Sequence, residues 1–274
     1  MTHIVRFDGQ VGVLARGLVA PMELSLTDLL ALPVAEIGAL VARHAPLASL
    51  PVSEVRLLAP VEGRMEVWGA GVTYERSRAA RVEESGRDLY DAVYTAERPE
   101  LFFKATPWRV TTDGEPAGIR ADGSCVPEPE LAIVANRHGE PVGAVVCDDL
   151  TARSVEGENP LYLPQAKCFA GSCGLSPAIR PWWELPEELF VELEVVRGGE
   201  KVFSGATGTR RLRRTPSELL GWLFLAQGFP DGVVLATGTG IVPPLEFSLL
   251  GGDEVTITIS EVGVLRQRVA GFPA

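Results

Sequence analysis

Short apolar segments rich in Val and Ile dominate the chain beyond residue 63, and the alternation of apolar and polar positions is clearest in one of them. In EVTITI, residues 254–259, Val255, Ile257 and Ile259 fall on one face of an extended chain, because successive side chains of a strand point to opposite sides. Similar runs, bounded by Gly, Pro or Asp, are typical of short strands. They are MEVWGAGV, ELFFKA, ELAIVA, VGAVVC, LFVELEVV and GVVLATG. Many short strands with few helices predict a β-rich α+β fold with peripheral helices.

Apolar residues at helical spacing occur mainly in the N-terminal part. Residues 25–45 begin with a Ser/Thr cap signal and continue with helical spacing, which predicts a helical segment. Before it, two apolar runs flank Asp8–Gly9, which predicts a strand pair joined by a tight turn. The proline-dotted stretch after the helix indicates a small N-terminal α+β domain over residues 1–62 and a larger domain over residues 63–274. Two later segments, ERSRAARVEES and TPSELLGWLFLAQ, are also predicted helices.

Composition and charge exclude several classes of partner. The 274 residues are 46% apolar and carry a formal net charge of −11, which disfavours nucleic acid or an anionic membrane surface as the main partner. No apolar run reaches the roughly 20 residues of a transmembrane helix. The first ten residues lack the features of a signal peptide, and the four cysteines form no CxxC pair. We therefore expect a cytoplasmic protein with reduced thiols, and no Cys/His zinc site.

Two acidic pairs stand at the ends of predicted strands. Glu128 and Glu130 flank a proline before LAIVA, and Asp148 and Asp149 end the run VVCDD. Residues i and i+2 of a strand share a face, so the two glutamates repel each other unless a cation lies between them. Carboxylates gathered from two strand ends suit Mg²⁺, Mn²⁺ or Ca²⁺ rather than zinc. On spacing alone, solvated strand ends are the commoner explanation of such pairs.

Three further features are candidates for chemistry. Lys167 lies among small and apolar neighbours, where partial burial would suit it to proton transfer. The run TGTG, residues 237–240, follows an apolar strand, and its backbone N–H groups could receive a substrate carboxylate. Arg153 could bind a substrate carboxylate or orient a ligand, and a structural salt bridge is an equal alternative. Taken alone, the lysine and the glycine run are more often a surface residue and a tight turn.

Taken in order, these segments resemble the fumarylacetoacetate hydrolase superfamily from about residue 65 to the C-terminus. The blocks that carry the resemblance are GAGVTY, PELFFKA, EPELAIV, CDDLTAR, QAKCFAGSCGLSP, TGTG and GDEVTITISEVGVL. The resemblance implies a fold of rolled, mixed β-sheets and an active site that holds Mg²⁺ or Mn²⁺. The site residues that it implies are the metal ligands Glu128, Glu130 and Asp149, the active-site lysine Lys167, and the substrate-binding turn with Gly238 and Thr239. Asp148 stands where the family often has asparagine.

One departure from the family pattern favours elimination of water over hydrolysis. Hydrolases and decarboxylases of this superfamily have a histidine and a glutamate after the GVTY block, whereas Ser77 and Ala80 stand at those positions here. The run EGENPLYLPQAK resembles the 2-keto-3-deoxy-pentonate dehydratases of the superfamily. This resemblance implies that a pentonate such as 2-keto-3-deoxy-arabinonate or -xylonate loses water to give 2,5-dioxopentanoate. It also implies that Glu100 is a catalytic residue beside Lys167, with their roles as base and acid left open and with Glu97 close by in the sequence.

Three other functions stay open at the level of sequence. The first is an acylpyruvate-type C–C hydrolase or β-keto acid decarboxylase, which the missing histidine and glutamate disfavour. The second is a non-catalytic metal-binding subunit, which the retained lysine and acids disfavour. The third is an aldolase that forms a Schiff base at Lys167. Analogy with the family also implies a homodimer or homotetramer.

Overall fold

A computed structural model describes residues 1–85 and 89–271 of the chain. The strands are β1 (Thr2–Phe7), β2 (Gln10–Ala15), β3 (Leu18–Pro21), β4 (Leu50–Pro51), β5 (Glu66–Gly71), β6 (Glu100–Ala105), β7 (Val110–Thr111), β8 (Ala117–Ile119), β9 (Cys125–Val126), β10 (Pro129–Ala135), β11 (Pro141–Asp149), β12 (Thr151–Ala152), β13 (Cys173–Leu175), β14 (Ala178–Pro181), β15 (Phe190–Arg197), β16 (Glu200–Gly208), β17 (Val233–Ala236), β18 (Glu254–Ile259) and β19 (Gly263–Gly271). The helices are α1 (Leu26–Leu30), α2 (Val34–His44), α3 (Glu75–Ser85), α4 (Leu89–Thr95), α5 (Arg153–Glu158), α6 (Leu163–Lys167) and α7 (Pro216–Phe224).

Two large sheets and a short ribbon contain these strands. The larger sheet runs in the order β4-β3-β2-β1-β14-β11-β10-β17-β5-β6, with β13 and β7 attached beside β11. The second sheet runs β16-β15-β18-β19-β8, and β12 pairs with β9. Most neighbours are antiparallel, but β17 pairs with β5, β13 with β7 and β19 with β8 in parallel. The arrangement confirms the prediction of a β-rich fold with mixed sheets.

The two central strands, β10 and β11, are buried on both faces. One face of the pair packs with the apolar cluster that contains α1 and α2, and the other packs against the second sheet. In that second sheet Val255, Ile257 and Ile259 are 2%, 0% and 1% exposed, which confirms the alternation in EVTITI. Burial on both faces fixes the register of the pair, because a slip of one residue would turn every side chain to the wrong side. The acids at the strand ends are therefore carried on a rigid base.

The N-terminal elements differ in one respect from those that the sequence predicts. The strand pair β1 and β2 forms as expected, with Asp8 and Gly9 at φ 47° and 76° in the turn. The helical segment predicted over residues 25–45 is divided in the structure into two helices, α1 and α2. Pro33 precedes α2, and a proline at this point removes a backbone donor and bars a continuous helix. Ser25 caps α1 as the cap signal indicated.

The sheet continues across the predicted domain boundary. Strand β1 pairs with β14, with Ile4 opposite Ile179, so residues 1–21 extend the larger sheet rather than form a separate one. The division into residues 1–62 and 63–274 stays a prediction. The two later predicted helices are confirmed as α3 and α7, the latter capped by Thr215. In the described parts of the chain, no helix has both the length and the apolar character needed to span a bilayer.

Candidate active site

The antiparallel pairing of β10 and β11 gathers the three predicted metal ligands. Pro129 lies opposite Asp148 in the register, and the Asp149 N–H donates to the Glu128 carbonyl at 2.9 Å. Glu128 and Asp149 are therefore cross-strand neighbours, and Glu130 follows on the same face as Glu128. One carboxylate oxygen from each of the three lies within 4.8 Å of the others, and all three side chains are buried. The predicted gathering of acids is confirmed, while their role as metal ligands stays a prediction.

The chemistry of this triad fits a divalent cation. Burial raises the pKa of Glu130 well above its ordinary value, and the charge of Asp149 raises it further. Buried carboxylates so close together repel each other, and a cation between them offsets that cost. An all-oxygen donor set suits Mg²⁺ or Mn²⁺ better than zinc.

Lys167 lies directly beside the triad. Its Nζ donates at 2.7 Å each to Glu128 Oε2, Asp149 Oδ2 and Thr151 Oγ1. The side chain is 3% exposed, and its Nζ lies 5.1 Å from the centre of the Phe102 ring. The surface alternative for this lysine is therefore wrong, and its position is compatible with proton transfer in a water-poor site.

A second buried lysine, Lys104, was missed from the sequence. Its Nζ lies 2.6 Å from Asp149 Oδ1, on the other side of the carboxylate from Lys167. It also donates to the carbonyls of Leu150 and Lys167 at 2.8 and 2.7 Å. Lys104 thus ties β6 to the end of β11 and to the end of α6. The available signal was a lysine inside the apolar run LFFKA, since a charge in a buried strand requires a partner.

Asp148 does not belong to the triad and instead supports the backbone of Glu128. Its Oδ1 accepts a hydrogen bond from the Glu128 N–H at 3.1 Å, and the residue is fully buried. Burial raises the pKa of Asp148 to about 7. A neutral amide could accept the same hydrogen bond, which accords with the asparagine common at this position in the resembling family.

The TGTG turn supports Glu130. Gly238 has φ 93°, and its N–H donates to Glu130 Oε2 at 2.6 Å. The Gly238 N–H is thus hydrogen-bonded to a carboxylate of the protein itself, whereas the sequence suggested that it binds a substrate carboxylate. Thr239 lines the adjacent cleft, with Oγ1 bonded to Ile241 at 3.2 Å. Contact of Gly238 and Thr239 with substrate stays a prediction.

A cleft opens beside the triad and brings the remaining candidates together. It contains about 470 Å³ of atom-free space, part of which is open to solvent. Its lining includes the triad together with Gly71, Ser77, Ala80, Glu100, Phe102, Glu156, Leu163, Lys167, Gly238, Thr239 and Val242. Glu100 lies so close to Gly71 that a Cβ there would overlap its carboxylate. Glu97 is exposed, so of the two neighbouring glutamates Glu100 is the one in the cleft.

The two positions that depart from the family pattern both line this cleft. Ser77 Oγ donates to the Tyr74 carbonyl at 2.8 Å, which holds it in a local turn. Ala80 presents only a methyl group. None of the three histidines is among the described lining residues, since His3, His44 and His138 bond elsewhere. The described cleft therefore offers carboxylates and a lysine, but no imidazole, for acid–base chemistry.

Arg153 lies outside the lining of the cleft. Its guanidinium donates to the carbonyls of Pro243 and Pro244 at 2.9 and 2.8 Å. These contacts hold the first turn of α5 against the loop that follows the TGTG turn. Substrate binding by Arg153 stays a prediction, and the contacts described here are structural.

Glu156 is a carboxylate of the cleft that the sequence did not identify. It lies on α5, is 4% exposed and lines the same cleft as Glu100 and Lys167. It is the first residue of the run EGENPLYLPQAK, whose polar composition indicates a loop rather than a cleft wall. A helix of six residues has too few turns to show helical spacing.

Comparison with known families and proteins gives consistent matches. The model of the fumarylacetoacetate (FAA) hydrolase C-terminal family matches residues 66–270. A 2-dehydro-3-deoxy-D-arabinonate dehydratase of Saccharolobus solfataricus is 41% identical over 227 residues, which are 80% of this chain and 76% of that protein. A probable 2-keto-3-deoxyxylonate dehydratase of Haloferax volcanii is 44% identical over 214 residues, which are 77% of this chain and 73% of that protein.

Solved structures agree over the whole length. A 2-keto-3-deoxyarabinonate dehydratase in a hexagonal crystal form superposes with a TM-score of 0.84 at 33% identity, covering 100% of this chain and 99% of that one. A 2-keto-3-deoxy-D-arabinonate dehydratase complexed with magnesium and 2,5-dioxopentanoate superposes with a TM-score of 0.80 at 31% identity, with the same coverage. The match extends through the N-terminal strands, which lie outside the residues that the family model covers.

Proposed function

Since the chain belongs to the fumarylacetoacetate hydrolase family, we propose that it is a magnesium-dependent dehydratase of 2-keto-3-deoxy-pentonates. The product is 2,5-dioxopentanoate. Relatives at 41% and 44% identity carry dehydratase names, and a neighbouring structure holds magnesium with this product. The proposal concerns the pentonate class and covers the arabinonate and xylonate forms alike.

The observation that carries the proposal is the composition of the cleft. The triad Glu128, Glu130 and Asp149 lies beside Lys167, while Ser77 and Ala80 line the cleft at the positions where the hydrolases have a histidine and a glutamate. This cleft retains groups for binding a metal and moving protons, but lacks the pair associated with activating water. Elimination of water needs only the former groups.

Different residues of the cleft contribute to different parts of the elimination. Glu128, Glu130 and Asp149 would hold a divalent ion, which would supply Lewis-acid chemistry for a keto oxygen and so make the C3 proton more acidic. Lys167 and Glu100 provide the base that takes this proton and the acid that protonates the departing C4 hydroxyl. Such general acid–base assistance contributes about 10²–10⁴-fold. Phe102 and Leu163 limit the access of water, which strengthens the electrostatic interactions.

We also propose that the protein acts in the cytoplasm as a homodimer or homotetramer on a small 2-keto acid. Its four cysteines are free thiols, which suits a reducing compartment. The net charge of −11 opposes nucleic acid as a partner. Light scattering coupled to size exclusion measures the assembly, and a monomer at micromolar concentration would contradict it.

A substrate panel tests the proposed function. Purified protein is freed of metal with a chelator, reloaded with Mg²⁺, and incubated separately with 2-keto-3-deoxy-arabinonate, 2-keto-3-deoxy-xylonate and an acylpyruvate. We expect turnover of at least one pentonate and none of the acylpyruvate. Turnover of the acylpyruvate alone indicates a hydrolase or decarboxylase, and no turnover of any compound indicates a non-catalytic protein.

A further inference from the structure

The proposed reaction contains a proton transfer that Lys167 and Glu100 leave unassigned. Loss of the C3 proton and the C4 hydroxyl forms a C3=C4 double bond and gives 5-hydroxy-2-oxopent-3-enoate. To reach 2,5-dioxopentanoate, a C5–H bond must break, its electron pair must form C4=C5, and C3 must take up a proton. The resulting enol then loses its hydroxyl proton and gains a proton at C4. Because this isomerisation leaves the formula unchanged, it needs a base beside C5 but no further reactant.

We propose that Glu156 is the base that removes the C5 proton, an assignment that rests on the proposed dehydratase function. Apart from the metal triad, the carboxylates among the described lining residues are Glu100 and Glu156. Neither belongs to the cluster of oxygens within 4.8 Å that the triad forms. With Glu100 assigned to the elimination, Glu156 is the carboxylate left for the second half of the reaction.

The position of Glu156 in the fold fits this assignment. The triad stands at the ends of β10 and β11, whereas Glu156 lies on a helical wall, where α5 packs against α3 and α6. Ser77, Ala80 and Leu163 line the cleft from those two neighbouring helices. A keto acid whose carboxylate and keto oxygen face the triad directs C5 away from the strand ends. The helical wall is thus where a base for C5 is needed.

Arg153 anchors the short helix that carries Glu156 to a neighbouring loop. Arg153 precedes Glu156 by three residues, so the two lie on neighbouring positions of the same helical face. The Arg153 guanidinium is bound to the carbonyls of Pro243 and Pro244, and nearby Val242 lines the cleft. A helix of six residues is not stable by itself in water. Arg153 is therefore a positioning residue that fixes α5 with Glu156 toward the cleft.

The isomerisation can be measured apart from the elimination. Synthetic 5-hydroxy-2-oxopent-3-enoate is given to the Mg²⁺-loaded protein, and formation of 2,5-dioxopentanoate is followed with an aldehyde reagent against a buffer blank. We expect the wild type to accelerate this step, and Glu156→Gln to lower its rate by about 10²–10⁴-fold, the usual contribution of a general base. With 2-keto-3-deoxy-pentonate as substrate, Glu156→Gln should consume substrate within about tenfold of the wild-type rate while the enoate accumulates.

Two variants control for effects on folding. Glu158→Gln changes an exposed glutamate of the same helix and should leave both steps at the wild-type rate. Glu156→Asp keeps the carboxylate, so it should retain part of the isomerisation even if Glu156→Gln fails to fold. Wild-type isomerisation in both Glu156 variants overturns the inference, as does an equal loss of both steps or a wild type no faster than buffer. If the wild type consumes no pentonate, the proposed function itself fails.

Discussion

Two buried lysines contact opposite oxygens of one aspartate, yet their surroundings differ. Lys104 reaches Asp149 Oδ1 at 2.6 Å and otherwise meets backbone carbonyls. Lys167 reaches Asp149 Oδ2 at 2.7 Å and otherwise meets Glu128 and a threonine hydroxyl beside the cleft. The first lysine is placed to hold the backbone, whereas the second lines the cleft that we propose as the substrate site. Substitutions of the two should therefore have different effects.

Lys167→Ala should abolish turnover without abolishing metal binding. Removal of the ammonium group takes away proton transfer, so kcat should fall by about 10²–10⁴-fold, and Glu100→Gln should behave alike. The triad loses a competing cation, so Mn²⁺ affinity, measured by electron paramagnetic resonance, should stay the same or rise. Lys201→Ala, at a half-exposed lysine paired with Glu194, is the matched control. Full activity in Lys167→Ala would contradict the mechanism.

Glu128→Gln should instead weaken the metal site. The variant loses one anionic ligand and one partner of Lys167, so Mn²⁺ affinity should fall by at least about tenfold. Glu192→Gln, at an exposed glutamate of β15, should bind as the wild type does. Unchanged Mn²⁺ affinity in Glu128→Gln would remove Glu128 from the ligand set.

Lys104→Met should make the stability of the protein depend more strongly on Mg²⁺. Breaking a buried ion pair leaves Asp149 with less compensation and costs about 3–5 kcal/mol in the metal-free protein. Added Mg²⁺ replaces part of the lost positive charge, so it should raise the unfolding temperature more than in the wild type. Arg180→Met removes another buried cation, one paired with Glu184, and should lose stability without a larger Mg²⁺ effect. Equal Mg²⁺ effects in Lys104→Met and the wild type would count against the inferred link to Asp149.

The stability of the metal-free protein should fall as pH rises, because of the buried carboxyl of Asp148. Its pKa is about 7 when folded, against an ordinary value of 3.8, so the folded state keeps a proton that the unfolded state releases. Stability therefore falls between about pH 4 and pH 7, by up to about 4 kcal/mol for a pKa change of this size. Asp148→Asn should be more stable than the wild type in urea unfolding at pH 8, with a smaller difference at pH 5. The same difference at both pH values would contradict the buried, protonated carboxyl.

At the scale of elements, strand ends and tight turns build the site. The run CVPEPEL predicted acids on one face of a strand, and the register of β10 with β11 places Asp149 beside Glu128. The contribution of the TGTG turn was visible only in part, because the partner of the Gly238 N–H is Glu130, which lies on another strand. The positions of Lys104 and Glu156 in the site could not be predicted from the sequence for the same reason. Their importance depends on which elements pack around them.

Gly238→Ala should disturb the metal site through the turn. At φ 93° an alanine is strained, and its Cβ would overlap Thr73 Oγ1 and approach the Ala70 carbonyl to 2.9 Å. Such strain costs about 1–3 kcal/mol and should move the N–H away from Glu130, which lowers Mn²⁺ affinity as well as stability. Gly251→Ala, where an added Cβ meets nothing within 4 Å, should change neither. Wild-type stability in Gly238→Ala would show that the turn tolerates a side chain.

At the scale of the whole molecule, pairing between distant parts of the chain limited prediction. Alternating patterns identified strands such as β18, and the cap signal at the start of residues 25–45 identified the start of α1. They could not indicate that β1 joins β14, because Ile4 and Ile179 are brought together by the fold alone. The ordered motifs along the chain, more than any single pattern, supplied the expected family and with it the site.

Removal of water from a 2-keto-3-deoxy-pentonate in this cleft, as we propose it, requires a divalent ion. The most direct test is ¹³C NMR of 2-keto-3-deoxy-arabinonate incubated with chelator-treated protein before and after addition of Mg²⁺. We expect conversion to 2,5-dioxopentanoate only after Mg²⁺ is added. Formation of pyruvate and glycolaldehyde would indicate aldol cleavage, and conversion that proceeds equally without Mg²⁺ would contradict the metal-dependent mechanism.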